Sequence, residues 1–301
     1  MSKFIMLVGP PASGKSTWAA AQHKIVVSSD DIRDEYGLNG QNKEDNTKVF
    51  SIMHTRAIDA MKNKEDVIYD ATCVSRRDRN GIMQTINKMS RTYDVKKIAH
   101  VFLASPETLK KRNSVRSRVV PDFVIDRMLA RFQMPIFSEG FDESWFHSSG
   151  EVMSFDQMLD GFTQDNPHHS LTLKDHLQVA ALHVAGDPVL EHAAQWHDVG
   201  KLFTKSFTDS KGNPTNVAHY YGHENYGAYL YLLNNIGQTE AYTGREFSRE
   251  SSPYKAMLIN WHMRPHVWDE NPGVKEKDAR LLSLKCLKDL EKLHSADLAA
   301  H

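Results

Sequence analysis

Lys3-Phe-Ile-Met-Leu-Val8 runs directly into Gly9-Pro-Pro-Ala-Ser-Gly-Lys-Ser16, and Thr17-Trp-Ala-Ala-Ala-Gln22 follows. An apolar run, a glycine-rich turn and a helix-forming stretch, in that order, fit G-x-x-x-x-G-K-[ST] in the strand-loop-helix setting that the motif requires. In such a loop the backbone N–H groups point inward at phosphate oxygens. The glycines let the main chain approach closely, and the helix N-terminus adds a favourable dipole. Gly9, Ser13, Gly14, Lys15, Ser16 and Thr17 are therefore candidate nucleotide contacts. Lys15 would neutralise the β and γ phosphates, and Ser16 would hold Mg²⁺.

Outward from this loop, short apolar runs alternate with helix-period segments. Phe4 to Val8, Lys24 to Ser28, Val67 to Tyr69 and Lys97 to Leu103 read as strands, with a last strand around Trp145 and Phe146. This alternation predicts an α/β domain with a parallel sheet and helices on both faces. Met153 to Phe162 reads as a short helix before a turn-rich linker, Thr163-Gln-Asp-Asn-Pro167. Beyond it Leu171 to Ala185, Pro188 to His197, His223 to Asn234, Tyr254 to Trp261 and Ala279 to Leu298 read as helices. The expectation is a first domain over 1–162 and an all-α second domain over 163–301.

The length of 301 residues fits two domains, and most of the 16 histidines fall after residue 165, which marks the same division. A net charge of −1 excludes broad electrostatic attraction to nucleic acid, so any such contact is local. Arg76-Arg77-Asp78-Arg79 and the basic residues from Lys110 to Arg118 are local clusters, each readable as a solvated helix face. Cys73 and Cys286 suit neither a disulfide framework nor a paired-cysteine metal motif. The N-terminus reads as a buried strand rather than a signal peptide, and no run approaches a membrane span, so a cytoplasmic location without membrane contact is expected.

A phosphate loop alone does not separate a kinase from an ATPase. Ser28-Ser29-Asp30-Asp31-Ile32-Arg33 places carboxylates at the carboxyl end of the neighbouring strand, where open α/β sheets bind ligands. A carboxylate there can accept a proton from an attacking hydroxyl, although two adjacent acids also suit a helix N-terminus. Arg112-Asn-Ser-Val-Arg116 could fold over the nucleotide as a lid. With Asp70-Ala-Thr72 and Val120-Pro121, these motifs resemble the phage-type 5′-polynucleotide kinase family over roughly residues 1 to 160. The resemblance implies Asp30 as general base on a 5′-hydroxyl, Arg33 as substrate contact and Arg116 on the transferring phosphate, with ATP or GTP and Mg²⁺ as donor. Asp-Ala-Thr replaces the family's Asp-Thr-Asn, which leaves Asp70 and Thr72 without assigned roles.

In the second half, His197-Asp-Val-Gly-Lys201 is read on a helix, where spacings of three and four share a face. Imidazole and carboxylate are both good ligands for divalent first-row metals. Together with His176, His223, His262 and Asp297, the pair resembles the HD phosphohydrolase superfamily over roughly residues 165 to 301. The ordered pattern maps onto His176, His197, Asp198 and Asp297. His219-Tyr-Tyr-Gly-His223 and Trp261-His-Met-Arg-Pro-His266 are similar to the HD domain of bacterial tRNA-nucleotidyltransferases. The resemblance implies His223 and His262 as ligands of a second metal, with Lys201 beside the scissile phosphate. One or two ions of Mn, Fe, Co, Ni or Zn are implied. His294-Ser-Ala-Asp297 is also readable as a helix-end charge pattern, and His219 and His266 as phosphate contacts. His183 is readable as packed or surface, and His192, His168 and His169 have no motif context.

Both resemblances imply a bifunctional nucleic-acid end-healing enzyme. One half would phosphorylate 5′-hydroxyl ends, and the other would hydrolyse 2′,3′-cyclic phosphate or 2′-phosphate ends. Its partners would be RNA or DNA ends and, functionally, a nucleic-acid ligase. The alternatives are a small-molecule kinase fused to an HD nucleotidase, and an ATP-gated nucleic-acid-binding module.

Overall fold

The computed structural model describes residues 1–38, 42–167, 170–268 and 270–300, so His168 and His169 lie outside the described residues. The chain divides into two compact units. Met1–Val120, Pro135–Ser148 and Gly237–Arg245 make the first, and Pro121–Met134, Ser149–Ile236 and Glu246–His301 make the second. Where a single break at 162/163 was expected, the two units are therefore interleaved along the sequence.

The first unit is built on β1 (Ser2–Val8), β2 (Ile25–Ser28), β3 (Val67–Asp70), β4 (Val95–Leu103) and β5 (Glu143–Ser148). These lie in the order β2-β3-β1-β4-β5 and pair in parallel, with Ser2 opposite Val95 and Val8 opposite Val101 across the central pair. Phe4, Ile5, Met6, Leu7 and Val8 are all buried, so both faces of β1 are covered. That is why it reads as an unbroken apolar run rather than an alternating one. The hairpin β6 (Ser206–Thr208) and β7 (Pro214–His219) belongs to the second unit, which corrects the all-α expectation. β8 (Thr239–Thr243) adds to the first unit's sheet, antiparallel to β5, with Glu143 opposite Thr243. The sheet is thus mixed and mostly parallel. Because β1, β2 and β3 run the same way, their carboxyl ends deliver the glycine-rich loop, Ser28 and Asp70 to one edge.

Two interactions hold this edge. Trp18, on the helix that follows the loop (Lys15–Ala20), packs on the cluster of Ile5, Leu7, Ile68, Ile98 and Phe102, and its ring lies 4.3 Å from that of His100. His100 Nδ1 and His147 Nε2 are 2.8 Å apart across β4 and β5. Elsewhere Arg79, in a cluster expected to be a solvated face, is 0% exposed and forms a bidentate pair with Glu139 at 2.7 Å. The bonds from its Nη1 to the carbonyls of Cys73 and Val74 show why this arginine is internal.

The second unit packs around the helix His223–Asn235, in which every residue from Tyr226 to Leu233 is buried, as expected of a helix with apolar residues on all sides. Helix Ser252–Trp261 packs along it, and Leu173–His183, Pro188–Ala194 and Leu284–Ala299 pack on one another. Among the described residues, no helix is long and apolar enough to cross a membrane.

Two predictions follow from the first unit. Glu139→Ala strands a buried guanidinium that cannot shed its charge and is expected to cost about 3–5 kcal/mol in urea unfolding. Burial holds His100 at about 3 and His147 at about 4, below the ordinary 6.5. Between these limits the unfolded chain binds more protons, so stability is complete above pH 6.5 and falls as the pH drops toward 4. His100→Phe should flatten that fall by on the order of 2 kcal/mol, as read from urea midpoints at several pH values.

Candidate functional site

Glycine is required twice in the loop. Gly9 has φ +152°, and a Cβ there would lie 2.8 Å from the Phe102 carbonyl; Gly14 has φ +98° at the N-cap of Lys15–Ala20. Lys15 folds across the loop, donating to the Pro10 carbonyl at 2.6 Å. Burial pulls its pKa down to about 8, against the opposing charge of Asp70. Ser16 Oγ donates to Asp70 Oδ2 at 2.7 Å, which places a hydroxyl and a carboxylate side by side where Mg²⁺ would be held. Burial raises the Asp70 pKa. Its position at the end of β3 was legible by the argument used for Asp30, but its role was not assigned from sequence.

Asp30 lies in the first turn of the helix Ser29–Tyr36, whose cap is Ser28, bonded to the N–H groups of Asp30 and Asp31. The Asp30 carboxylate is therefore not used for capping. Half exposed, it faces Arg33 at 3.5 Å, Arg116 at 3.6 Å and Arg118 at 3.2 Å. Arg33 is fixed by the Ser29 carbonyl and Asn46 Oδ1. The loop bearing Arg116 and Arg118 is pinned at its base, where the buried Asn113 amide bonds both the N–H and the C=O of Val120. Arg118 had no role in the sequence reading; it also reaches Asp34 at 2.8 Å. Lysine, hydroxyl, two carboxylates and a ring of arginines at the sheet edge suit transfer of a phosphoryl group to a hydroxyl.

In the second unit, six sequence-predicted ligands converge into two adjoining groups: His176, His197, Asp198 and Asp297, and Asp198, His223 and His262. Each group brings its ligand atoms within 4.8 Å of one another. His176 lies within a helix, Asp297 near the end of another and His223 at a helix start, while His262 directly follows a helix end. His197 and Asp198 lie in a run of turns over 195–200, not on a continuous helix. The bonds there step back three residues, as in Val199 N to Trp196 O and Lys201 N to Asp198 O, so the chain is overwound as it reaches Gly200.

Four backbone carbonyls orient the imidazoles. His176 Nδ1 faces Ala300 O, His197 Nδ1 faces Ala194 O, His223 Nδ1 faces Tyr220 O and His262 Nδ1 faces Ile259 O, at 2.7 to 3.0 Å. A carbonyl only accepts, so each Nδ1 carries the proton, and in a neutral ring Nε2 is left with its lone pair. The Nε2 atoms then meet in pairs, His176 with His197 at 3.1 Å and His223 with His262 at 3.2 Å. Two ligand atoms held about 2.1 Å from one ion at a tetrahedral angle lie about 3.4 Å apart. Asp198 splits its oxygens between the pairs: Oδ2 is 3.3 Å from His176 and 3.5 Å from His197, and Oδ1 is 3.0 Å from His223 and 3.5 Å from His262. The residues therefore fit a pair of cations, with Asp198 offering one oxygen to each imidazole pair.

The buried carboxylates favour a positive charge in this group, as a proton or as a metal ion. Burial pulls the His176 pKa down, but its bonds to Asp198 and Asp297 outweigh this and raise it to about 9. Burial opposes ionisation of Asp198, yet Lys201 and the imidazoles hold it well below the usual range. Lys201 Nζ lies 2.6 Å from Asp198 Oδ2 and donates to Gln164 at 2.9 Å. His183 is exposed, and His192 pairs with the Tyr231 hydroxyl. His219 stacks on Tyr221.

The first unit thus carries a P-loop domain of the kinase type. Residues 4–135 match the family model described as AAA domain. Over 218 residues the chain is 23% identical to the L-seryl-tRNA(Sec) kinase of Methanococcus maripaludis, covering 69% of this chain and 83% of that one. Among solved structures it is similar to a putative kinase from Chloroflexus aurantiacus, at 16% identity and a TM-score of 0.31 over 37% of this chain and 64% of that one. It is also similar to a chain of the Pnkp1/Rnl/Hen1 RNA repair complex, at 20% identity and a TM-score of 0.36 over 61% of this chain and 67% of that one. The chain thus spans just under two thirds of the first of these structures.

Gly200 tests how closely this site is packed. A Cβ there would overlap the His223 carbonyl oxygen and lie 2.7 Å from Gly227 N. Gly200→Ala should therefore cost about 3 kcal/mol or more, read as a lowered denaturant midpoint.

Proposed function

We propose that the chain is a bifunctional nucleic-acid end-healing enzyme. Its first unit would phosphorylate 5′-hydroxyl ends with ATP or GTP, and its second would open 2′,3′-cyclic phosphates or remove 2′-phosphates in the manner of HD phosphohydrolases. The observation that carries the second half is the meeting of four imidazole Nε2 atoms in two pairs across Asp198. Imidazole nitrogens facing one another at this distance need a positive charge between them, a proton or a metal cation. When bound, such cations activate water for attack on phosphorus.

For the first half, Asp30 would accept the proton of an attacking hydroxyl, and Arg33 and Arg116, 3.5 and 3.6 Å from it, would grip phosphates on either side. Three arginines around one carboxylate favour an anionic acceptor over a free sugar. The name of the Methanococcus maripaludis relative, L-seryl-tRNA(Sec) kinase, supports an acceptor attached to RNA. His176, His197, Asp198, His223, His262 and Asp297 would hold the cations, and Lys201 would face the scissile phosphate from beside Asp198. The products of the two halves are the ends that a nucleic-acid ligase consumes.

The test is an end-group assay on an RNA bearing a 5′-hydroxyl and a 2′,3′-cyclic phosphate. Wild type should alter both ends. Lys15→Ala and Asp30→Ala should each lower 5′ phosphorylation about 100-fold or more while sparing the other end, and Asp198→Ala should do the reverse. Phosphorylation of free nucleosides or sugars in preference to the RNA would replace this reading with a small-molecule kinase. Cyclic-phosphate hydrolysis unchanged by Asp198→Ala would remove the second half.

A further inference from the structure

His266, His294 and Asp297 form a third group whose ligand atoms lie within 4.8 Å of one another. His294 and Asp297, three apart on Leu284–Ala299, share a helix face. His266 comes from the 3-10 turn Pro265–Val267, which packs on that helix. The two rings are 4.3 Å apart at 72°, and His266 Nε2 is 3.2 Å from Asp297 Oδ2.

Asp297 is shared between two groups, as Asp198 is. Asp297 turns Oδ1 to His176 at 3.2 Å and His197 at 3.4 Å, and Oδ2 to His266. The unit thus holds a row in which imidazole pairs and carboxylates alternate: His223 and His262, Asp198, His176 and His197, Asp297, then His266 and His294. Each carboxylate gives one oxygen to either side. The 3.2 Å separation of His266 and Asp297 falls within the 3.0 to 3.5 Å spread of imidazole–carboxylate distances in the first two groups.

We propose that His266, His294 and Asp297 form a third site for a divalent first-row cation, bridged to its neighbour by Asp297. Two imidazoles and one carboxylate suit cobalt, nickel or zinc and leave a fourth position open. His266 is 30% exposed, unlike the buried ligands of the first two groups, so this site opens to solvent and its open position can take a phosphate oxygen of the substrate. The proposal rests on the cation reading of the neighbouring groups, because Asp297 is shared.

The test is equilibrium dialysis of the full chain against Co²⁺ without nucleotide, with bound cobalt counted and its visible absorption recorded. Wild type should hold three ions, and the folded His266→Gln/His294→Gln double variant should hold two, with a smaller absorption band. Should the double variant not fold, His266→Gln alone is read in the same way. Two ions in wild type, or three in the folded variant, overturn the third site while leaving the other two groups standing. No bound cobalt in wild type overturns both.

Discussion

A carboxylate removed from water must find positive charge or lose its own, and Asp198, 3% exposed, sets the second unit around that requirement. Lys201 meets one of its oxygens three residues along the turn, and imidazoles from three further elements meet both. Helix ends and a turn are used because an imidazole bonded to the carbonyl three residues before it, as His197, His223 and His262 are, is fixed without a second side chain. Gly200 is the steric counterpart, since the turn bearing Asp198 can approach helix His223–Asn235 only where a residue lacks a Cβ.

The first unit handles charge differently. Around Asp30 the arginines are partly exposed and none makes a short bidentate pair with it, so they can be redirected to phosphate. Burial lowers the pKa of Lys15, which rests on a carbonyl rather than an acid and whose charge is left to be stabilised by an arriving anion. Arg79 and Glu139 show the opposite case, a saturated internal pair that holds the chain in place and offers nothing to a ligand.

Much of this was legible in the sequence, for identifiable reasons. The parallel strands were visible because burial on both faces makes them continuous apolar runs. The loop was visible because its glycines obey backbone constraints. The six residues of the two histidine groups were singled out by a family resemblance that rests on their order along the chain, and the fold brings them together. The strand Thr239–Thr243 was missed because an edge strand of alternating exposure, Thr-Glu-Ala-Tyr-Thr, carries little apolar signal. The hairpin over 206–219 was missed although Asp209-Ser-Lys-Gly-Asn213 is a turn-forming run between its strands. His266 was read only as a phosphate contact, because nothing in the sequence brings it to the His294 and Asp297 face of the last helix. The helix read through His197 ends at Ala194 and gives way to turns that lead to Gly200, where close packing rather than helical propensity decides the backbone.

The pairing of Glu143–Ser148 with Thr239–Thr243 fixes the order in which the molecule can be made. On the ribosome, the sheet of the first unit is complete only after residue 243 has emerged, when nearly all of the intervening histidine-bearing segments have already been synthesised. Until then Glu143–Ser148 is an open edge able to pair with other chains. The phosphate-loop portion thus draws its last strand from the sequence after it, and cutting the gene between the two halves would leave that sheet one strand short.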